Sequence, residues 1–414
     1  MKKNSYGRVR TCQICNNKEL VEILNLGHHP IVQSYLTEAQ LHEKEDTYPL
    51  CLVRCEKCEL LQLDYIVDPK LVFPPDYPYR TGLTNMLIRN FESLAENMKA
   101  TGQYVDGDLV VDIGSNDGTL LESFKKRGCT VVGVEPTRAA RVANKNKIKT
   151  YEEFFDMKSA QKVVKKHGKA KVVTATNVFA HIVDTPRLIR AVKAMLAKDG
   201  VFVSESQYLA DIVEKLEFDT VYHEHLRFYA LRPLIRLAKD AGMSVVDAER
   251  ISAAGGSIRV FMKIGEQKAS PRVKELLKEE ELLGLYSTKA LREFGTKVIM
   301  AKNDLLTLLL GLKKTGATIA GISSATRANT LLGFTKINTH LVSYAGEKQG
   351  SPKIGLYTPG THIPVYDEKK IFDEQPEYAL VLSWHIGEEL MKIYRKLGYK
   401  GKFIMPLPKP RIIK

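Results

Sequence analysis

Short, fully apolar runs alternate with amphipathic segments through the middle of the chain. The longer runs are LVVDIG, TVVGVE, KVVTATNVF and GVFVSE. Apolar positions at helical spacing predict helices before and between these runs, at 85–99, 119–126, 138–146 and 186–197. Strands that are apolar throughout and separated by helices are typical of a parallel sheet covered on both faces. The pattern therefore predicts a doubly wound α/β domain over residues 76–265.

The pattern changes on either side of this domain. Residues 1–75 carry two closely spaced cysteine pairs and end in a proline-rich stretch, PPDYP, that is typical of a linker. Residues 270–314 have the spacing of one or two long charged helices. The runs ATIAGI, YALVLSW and KFIMPLP then predict strands alternating with helices, and 344–355 reads as a loop. We predict a small N-terminal module and, over 266–414, a C-terminal α/β domain.

Composition and charge narrow the possible partners. The 414 residues are 44% hydrophobic and 27% charged, which is an ordinary globular balance. The net charge of +14 favours anionic partners, including phosphorylated small molecules. The densest basic block, KSAQKVVKKHGKAK, contains no aromatic residue that could stack on bases, so we read it as the solvated face of a helix and consider nucleic acid an unlikely partner.

The compartment can also be predicted from the sequence. The start, MKKNSYGRVRTC, has no apolar segment after its basic residues, so it is not typical of a signal peptide. The most apolar short run, LLTLLLGL, is too short to span a bilayer. We expect a cytoplasmic protein that does not engage membranes and is a monomer or homodimer.

The cysteines indicate a metal site. Cys12 and Cys15 form one CxxC pair, and Cys55 and Cys58 form another. Two such turns can give four thiolates to one tetrahedral zinc ion, whose coordination is then complete and therefore structural. Two disulfides are the alternative, which a cytoplasmic location disfavours. Cys51 lies close enough in sequence to compete as a ligand, and the sixth cysteine, in CTVVGV, reads as buried.

A glycine-containing turn follows the first central strand. It reads VVDIGSNDGT, and the next strand ends in an acidic residue, Glu135. Glycines let the backbone approach a ligand closely, and a carboxylate at this second position can accept both ribose hydroxyls. The turn lacks the G-x-G-x-x-G dinucleotide pattern and instead carries Asp112 and Asp117. Acidic groups suit the cationic amino-acid end of S-adenosylmethionine better than a pyrophosphate, so we predict that donor.

Together, several segments resemble the nucleotide-sugar C-methyltransferase family. The matching stretches are the two cysteine pairs, VDIGSNDGTLL, GVEP, NVFAHIVD, FDTVYHEHLRFY, GGSIRVF and NTLL. They occur in the family's order over nearly the whole chain, and the combination of NVFAHIVD with FDTVYHEH is the most specific. The resemblance implies a zinc-binding module, a class I methyltransferase domain and a C-terminal Rossmann-like domain. It also implies methyl transfer from S-adenosylmethionine to a ring carbon, typically C3, of a nucleoside-diphosphate 4-keto deoxysugar.

The resemblance assigns residues to the donor site. The residues that we expect to line it are Asp112, Gly114, Asn116, Asp117, Gly118, Glu135, Phe154, Phe155 and Asn177.

The stretch TVYHEH supplies groups that could do the chemistry. Carbon accepts a methyl group only after a neighbouring carbonyl and a base have turned it into an enolate, and histidine suits the base role near neutral pH. We predict His225 as the base and Tyr222 or His181, or both, as stabilisers of the enolate oxygen. Glu224 could orient a histidine or bind a sugar hydroxyl. These roles require a turn, because an extended strand would put Tyr222 and Glu224 opposite His225.

Two alternatives for the histidines remain open. His223 and His225 could share one face of a strand and hold a metal, although no third ligand is evident nearby. His181 could be an ordinary buried histidine in an apolar run.

The sequence defines the substrate-binding residues least clearly. Tyr77 and Tyr79 could close over the site or cover the zinc module. The further candidates, in segments that resemble the family, are Arg259, Arg327, Asn329 and Thr330. Ala254 stands where the family usually has a histidine, and SWH at 383–385 also departs from the family pattern.

Two other activities fit parts of the sequence. One is methyl transfer to oxygen on a small molecule, on the same scaffold, and the other is nucleic-acid binding by a zinc-containing α/β protein.

Overall fold

The computed structural model describes residues 6–75, 77, 80–83 and 85–414 of the chain. It forms an N-terminal β part and two α/β parts, built around three main sheets and one small two-stranded sheet. The predicted fold class, with a small cysteine-containing module before two α/β domains, is confirmed.

The N-terminal part is mainly antiparallel β structure. Its strands are β1 (Gly7–Arg8), β2 (Leu20–His29), β3 (Tyr48–Cys55), β4 (Leu61–Leu63) and β5 (Tyr65–Ile66). Strands β2, β3 and β4 form one antiparallel sheet, and β1 pairs separately with β5. The two CxxC turns lie beside this sheet, one before β2 and the other between β3 and β4.

The central part contains the doubly wound sheet. Its strands are β6 (Leu109–Ile113), β7 (Thr130–Val134), β8 (Thr150–Tyr151), β9 (Ala170–Thr176), β10 (Leu196–Gln207), β11 (Arg227–Phe228), β12 (Met243–Ile251) and β13 (Ser257–Ile264). Seven of them form a sheet in the order β12-β13-β10-β9-β6-β7-β8. The strands from β6 to β10 are parallel, as predicted, and β12 and β13 add an antiparallel edge that the sequence pattern did not reveal.

Helices cover this sheet. They are α2 (Asn85–Ala100), α3 (Thr119–Lys125), α4 (Ala139–Lys145), α5 (Met157–His167), α6 (Thr185–Met195), α7 (Leu209–Lys215) and α8 (Leu231–Asp240). The short helix α1 (Pro69–Val72) precedes them and packs Val72 with Ile31 and Val67 of the N-terminal part. Helix α2 buries Leu87, Phe91, Leu94 and Met98, a stripe at the spacing of one helix face. Helix α5 contains most of the basic block and leaves Lys158, Lys165 and Lys166 exposed, so the reading of a solvated face is confirmed.

The C-terminal part is a second α/β layer. Its helices are α9 (Pro271–Leu282), α10 (Thr288–Lys314), α11 (Thr326–Thr335), α12 (Lys369–Glu374) and α13 (Gly387–Lys396). Its strands are β14 (Ile319–Ile322), β15 (Ala345–Glu347), β16 (Val365–Asp367), β17 (Tyr378–Val381), β18 (Lys402–Met405) and β19 (Arg411–Ile413). The sheet order is β16-β15-β14-β17-β18-β19, parallel except at β19.

One prediction for this part is wrong. The sequence pattern predicts a loop over 344–355, but the first residues of this stretch form β15, a buried strand of three residues. A strand this short carries too few residues for a period of two to be recognised in the sequence. Its placement matters, because Glu347 at its end lines the central cavity described below.

The segment 218–228 joins all three parts. It begins with a 3-10 turn, Phe218–Thr220, and ends in β11, which pairs with β4 of the N-terminal sheet and not with the central sheet. From the C-terminal part, the hydroxyl of Thr330 on α11 donates to the carbonyl oxygen of Val221 at 3.1 Å. The histidine-rich segment therefore depends on contacts with every part of the molecule.

Among the described residues, no helix has the length and apolar character needed to cross a membrane.

Candidate active site

The four predicted zinc ligands lie together. Their Sγ atoms are all within 4.8 Å of one another, with 3.3 Å between Cys12 and Cys58 and 3.6 Å between Cys15 and Cys55. Zn–S bonds of about 2.3 Å in a tetrahedron place sulfur atoms roughly 3.8 Å apart, so the cluster fits a zinc ion. In each CxxC turn backbone N–H groups point at the first sulfur, as Cys15 N does at 3.5 Å from Cys12 Sγ.

The fifth cysteine of this region is not part of the cluster. Cys51 lies on β3, and its Sγ contacts Glu22 Oε2 at 3.6 Å instead. Burial is the main reason why its pKa is raised above the usual value for a thiol. The predicted set of four zinc ligands therefore stands without a competing fifth.

A cavity of about 720 Å³ lies where the three parts meet. Its walls come from the carboxyl ends of β6, β7, β9 and β10, from the segment containing TVYHEH, and from the carboxyl ends of β14, β15 and β17. In parallel α/β sheets this is the edge at which ligands bind.

The turn after β6 forms one end of the cavity. Gly114 has a φ of 68° and faces Val178, so that a Cβ at this position would overlap the valine side chain. Only glycine allows the backbone to pass there with a positive φ. The turn thus brings the main chain against the cavity wall, as the donor reading requires.

Glu135 lies at the end of β7 and lines the same end of the cavity. One carboxylate oxygen accepts the backbone N–H of Asn116 at 3.0 Å, and the other accepts the N–H and hydroxyl of Thr137. Burial raises the pKa of Glu135, while these donors favour its charged form. The carboxylate is therefore fixed in position and has remaining lone pairs that could accept ribose hydroxyls.

Asp112 differs from Glu135 in its electrostatics. It is 2% exposed and accepts the hydroxyl of Thr174 at 2.6 Å. Burial raises its pKa to about 7, so the carboxyl group is partly protonated near neutral pH. The charge argument made from sequence therefore applies more to Glu135 than to Asp112.

Three more predicted donor residues line this end of the cavity: Phe154, Phe155 and Asn177. The prediction that Asp117 and Gly118 line it too is not matched. Asp117 accepts the backbone N–H of Gly82 at 2.9 Å and the hydroxyl of Thr119 at 2.6 Å, and Gly118 begins α3 with a φ of 84°. Both residues shape the turn and neither lines the cavity.

TVYHEH is a turn, as the catalytic reading required. The backbone N–H of His225 donates to the carbonyl oxygen of Tyr222 at 2.9 Å. Consequently the rings of Tyr222 and His225 lie side by side, with centroids 4.1 Å apart, although three residues separate them in sequence.

One hydrogen bond sets the tautomer of His225. Its Nδ1 lies 2.7 Å from the carbonyl oxygen of Thr220, and because a carbonyl can only accept, Nδ1 carries the proton. The other nitrogen, Nε2, then keeps its lone pair. Burial lowers the pKa of His225 to about 4, so the ring is neutral at physiological pH and able to accept a proton.

His181 completes this group. Its ring stacks on Phe73 with centroids 5.5 Å apart and lies 5.0 Å from the ring of His225. Burial, followed by the neighbouring His225, lowers the pKa of His181 well below its usual value. A neutral imidazole here can donate a hydrogen bond to an oxygen atom.

Glu224 does not orient a histidine; it pairs with Tyr77. The hydroxyl of Tyr77 donates to Glu224 Oε2 at 2.8 Å, and Oε1 is buried without a partner among the described residues. Burial raises the pKa of Glu224 to about 7, partly offset by the Tyr77 bond and by Lys353. Tyr77 therefore belongs to the cavity wall, whereas Tyr79 lies outside the described residues.

His223 faces away from the cavity. Its Nε2 donates to the carbonyl oxygen of Pro49 at 3.1 Å, and its ring meets the edge of Tyr48 in the N-terminal part. The alternative of a metal held by His223 and His225 is therefore wrong, because the turn sends the two rings in different directions.

Some of the residues predicted to bind the substrate line the cavity, and others do not. Arg327 lines the cavity, but Arg259, Asn329 and Thr330 do not. The Arg259 guanidinium is 3% exposed and is paired with Glu205 at 2.9 Å and with Glu249. Asn329 donates to the carbonyl oxygen of Val32, and Thr330 to that of Val221. These three residues hold the fold together, which corrects the prediction.

Residues missed from the sequence line the C-terminal wall. Glu347 ends β15 and accepts the backbone N–H of Ser324 at 2.8 Å, and Lys353 donates to the Ser324 carbonyl oxygen at 2.6 Å. His385 is half-buried, and its Nδ1 has no partner in the described part of the chain. Their position after parallel strands was the available signal, but the stretch holding Glu347 and Lys353 was read as a loop.

Sequence comparisons agree with this architecture. Three domain families match in turn: "Putative zinc binding domain" at 12–73, "Methyltransferase domain" at 86–248 and "C-methyltransferase C-terminal domain" at 252–408. The C-methyltransferase NovU of Streptomyces niveus is 30% identical over 97% of this chain and 96% of its own length. The chain belongs to the C-methyltransferase family. The matches to a methyltransferase domain and a zinc-binding domain, together with the cluster of four cysteines, show that it is an S-adenosylmethionine-dependent methyltransferase with a zinc-binding module.

More distant matches cover only part of this C-methyltransferase. A ubiquinone biosynthesis O-methyltransferase of Cupriavidus pinatubonensis is 29% identical over 34% of this chain and 62% of its own length. Among solved structures, magnesium protoporphyrin IX methyltransferase of Synechocystis with bound SAM covers 48% of this chain and 99% of its own. It has 14% identity and a TM-score of 0.36, which is too low to carry an argument.

Proposed function

We propose that this C-methyltransferase methylates a ring carbon, C3, next to the ketone of a nucleoside-diphosphate 4-keto deoxysugar, by way of an enolate. The proposal rests chiefly on His225, which is neutral, has its Nδ1 proton held by Thr220, and lines the cavity that the donor residues also line. Such a base is needed to form the enolate that methyl transfer to carbon requires.

His225 would take the proton from the carbon next to the carbonyl. A base acts in this way only if its lone pair reaches the proton, and Nε2 is the nitrogen that remains available. Tyr222, 4.1 Å away between ring centroids, and His181, at 5.0 Å, would donate to the oxygen on which negative charge develops. Because His181 is neutral, its N–H is available without the cost of a buried positive charge.

The donor site would hold S-adenosylmethionine against the same space. Glu135 would accept the ribose hydroxyls, Phe154 and Phe155 would pack on the adenine, and Asn177 and the backbone at Gly114 would hold the amino-acid end. The bound donor supplies the methyl group. The chain's own contribution is to position the two reactants and to keep the carbanion-like carbon away from water.

The C-terminal wall supports a substrate that carries phosphates. Lys353 contributes positive charge, Arg327 is paired with Asp219 and Glu217, and residues 323–326 bring the start of α11 to the cavity. A helix start and cations together favour anions. Glu224, with a pKa of about 7, would bind a sugar hydroxyl, and Tyr77 would hold that carboxyl group in place.

An O-methyltransferase remains the second candidate, because several curated relatives of the central domain transfer methyl groups to oxygen. Those relatives match about a third of this chain, and the match does not extend to the two parts that build the rest of the cavity. A role in deoxysugar biosynthesis in the cytoplasm follows from the C-methyltransferase proposal and is proposed with it.

Proton exchange tests the proposal without requiring methyl transfer. The enzyme is incubated in D2O with S-adenosylhomocysteine, which has no methyl group to give, and with a panel of nucleoside-diphosphate 4-keto deoxysugars. With the correct substrate, we expect loss of the C3 proton signal in NMR spectra. When S-adenosylmethionine is used in place of S-adenosylhomocysteine, we expect methylation at that carbon. Methyl transfer to an oxygen atom, with no exchange of a carbon-bound proton, would establish the second candidate instead.

A further inference from the structure

A buried ion pair links the C-terminal part to the turn in front of the base. Asp219 is fully buried, and the Arg327 guanidinium donates to both of its oxygens, from Nε at 2.8 Å and from Nη2 at 2.7 Å. The indole Nε1 of Trp384 also donates to Asp219, at 2.8 Å. Two residues of the C-terminal part thus converge on one carboxylate of the central part.

This arrangement fixes direction as well as distance. Two parallel bonds from a planar guanidinium hold a carboxylate in one orientation, and the third bond restrains it further. Glu217 adds a weaker contact to Arg327 at 3.2 Å. Because a buried charge without a partner is very unfavourable, the carboxylate cannot easily move away from its donors.

The next residue along the chain holds the base. Thr220 follows Asp219 in the 3-10 turn, and its carbonyl oxygen accepts Nδ1–H of His225 at 2.7 Å. The direction of that carbonyl follows from the peptide planes on either side of residues 219 and 220. A change at Asp219 is therefore passed to His225 through one peptide unit, without any contact between Asp219 and the cavity.

We propose that Asp219, held by Arg327 and Trp384 of the C-terminal part, is a positioning residue that orients His225 through the Thr220 carbonyl. The inference rests on the proposed function, since it requires that His225 act as the base. It gives Arg327 a role that the sequence did not suggest, because two of its nitrogens are committed to Asp219 before any substrate binds.

The test compares Asp219→Asn with Glu217→Gln. Each change replaces a carboxylate beside Arg327 by an amide of the same shape, but only the first one alters the residue joined to Thr220. For Asp219→Asn we expect kcat for methyl transfer and the rate of C3 proton exchange to fall together by about 10- to 100-fold, the size of effect that a small misplacement of a reacting group produces. For Glu217→Gln we expect both rates within about threefold of wild type.

Two further measurements separate positioning from folding and from substrate binding. The dissociation constant for S-adenosylhomocysteine and the KM for the sugar nucleotide should each stay within about threefold in Asp219→Asn, as expected when only the orientation of the base is lost. Because Trp384 is the chain's single tryptophan, its fluorescence reports directly on the loss of its bond to Asp219. Trp384→Phe, which removes one donor and keeps the ion pair, should lower both rates by a smaller factor and serves as the test if Asp219→Asn does not fold.

A double variant decides the role of Arg327. If Arg327 acts through Asp219, then Asp219→Asn combined with Arg327→Gln will be no slower in proton exchange than the slower single variant. Multiplicative losses, or unchanged proton exchange in Asp219→Asn, would overturn the positioning role. Absence of exchange in the wild-type enzyme with its substrate would instead refute the enolate route itself, so the two failures are distinguishable.

Discussion

His223 and His225, two positions apart in the sequence, have unrelated hydrogen-bond partners because a turn separates their rings. The Nδ1–H of His225 donates a hydrogen bond to the Thr220 carbonyl oxygen and leaves Nε2 for the cavity, whereas His223 donates to Pro49 in the N-terminal part. Both have a pKa lowered to about 4 by burial, so charge does not distinguish them. The difference is one of direction, and it leads to a matched pair of variants.

We predict that His225→Asn and His223→Asn differ sharply in activity. The asparagine amide can replace an imidazole N–H as a donor to Thr220 or Pro49, but at position 225 it removes the Nε2 lone pair. Losing a general base costs about 10²- to 10⁴-fold in kcat, and we expect this for His225→Asn with unchanged affinity for S-adenosylhomocysteine. His223→Asn should retain most of the activity per folded molecule. Steady-state kinetics alongside calorimetric titration check both, and an active His225→Asn enzyme would show that another group is the base.

The pKa of Glu224 provides a second prediction at this scale. Its value of about 7 reflects burial, and the Tyr77 hydroxyl lowers it by favouring the carboxylate. Tyr77→Phe removes that donor, so the pKa must rise, and Glu224 will remain protonated to higher pH. We expect the step near pH 7 in a 13C NMR titration of the carboxyl group to move to higher pH in this variant. A step that stays in place would mean that the Tyr77 bond does not form in solution.

As the pH falls, we expect the free enzyme to lose activity at a lower pH than it would if its base were a histidine of ordinary pKa. Since burial lowers the pKa of His225 from 6.5 to about 4, its neutral form persists as the pH falls through 6.5 and is lost near 4. The acidic limb of kcat/KM, which reports on the free enzyme, should therefore lie well below pH 6.5. Profiles measured in a Glu224→Gln, Asp112→Asn double variant, which lacks both carboxyl groups that titrate near 7, isolate this limb. A limb at 6.5 in that variant would place the base outside the buried site.

At the scale of elements, the zinc module is part of the framework of the active site. The side chain of Gln62 on β4 accepts the N–H of Gln13 at 2.8 Å and donates to the carbonyl oxygen of Thr11, so it is bonded to the first CxxC turn. Its backbone pairs with Arg227 on β11. The Arg227 guanidinium then donates to the carbonyl oxygens of residues 182 and 183, directly after His181.

Removing zinc should therefore loosen the segments that carry His181 and His225 as well as the cysteine turns. Structural zinc sites contribute folding free energy, about 10–16 kcal/mol of apparent binding in zinc-finger peptides. After chelation we expect faster amide hydrogen exchange at 180–183 and 225–228 and a lower Tm. Cys51→Ser should keep one zinc per chain, and Cys55→Ser should not. Exchange that rises only around the cysteines would show that the module is not coupled to the site.

At the scale of the whole molecule, the three parts each supply one wall of a shared cavity. The central sheet provides the donor end, the N-terminal sheet extends through β11, and the C-terminal sheet brings the ends of β14, β15 and β17 to the opposite side. The net charge of +14 is distributed over this entire body, with exposed lysines on α5. Its consequence for nucleic acid can be measured.

We predict only weak, non-specific binding to duplex DNA. Charge alone gives dissociation constants of about 10⁻⁴ to 10⁻⁶ M at physiological salt, which weaken steeply as salt rises. Affinity for S-adenosylhomocysteine should change little over the same range, since its predicted site lies in the cavity and not on the exposed basic face of α5. Fluorescence anisotropy with a labelled duplex at several salt concentrations is the measurement. Sub-micromolar binding that persists at high salt would favour the nucleic-acid alternative.

Much of the fold follows from local sequence. The runs LVVDIG, TVVGVE and KVVTATNVF predict buried parallel strands because only a sheet covered on both faces tolerates apolar residues at every position. The two CxxC turns predict the zinc site because ligand spacing within a turn is a local property. Gly114 and Glu135 could be placed at the donor end for the same reason, since each directly follows a strand.

What the tertiary structure alone decided is where side chains from distant segments meet. Contacts across more than 100 residues of chain decide whether Arg327 faces a ligand or Asp219. They also decide whether His223 turns toward or away from His225. Arg327 and Asp219, for example, are 108 residues apart in the sequence. The pKa values of Asp112 and Glu224 depend likewise on burial by other segments. Sequence periodicity predicts the face of a helix or strand on which a side chain lies. The residue that this side chain contacts is decided only when the elements pack together.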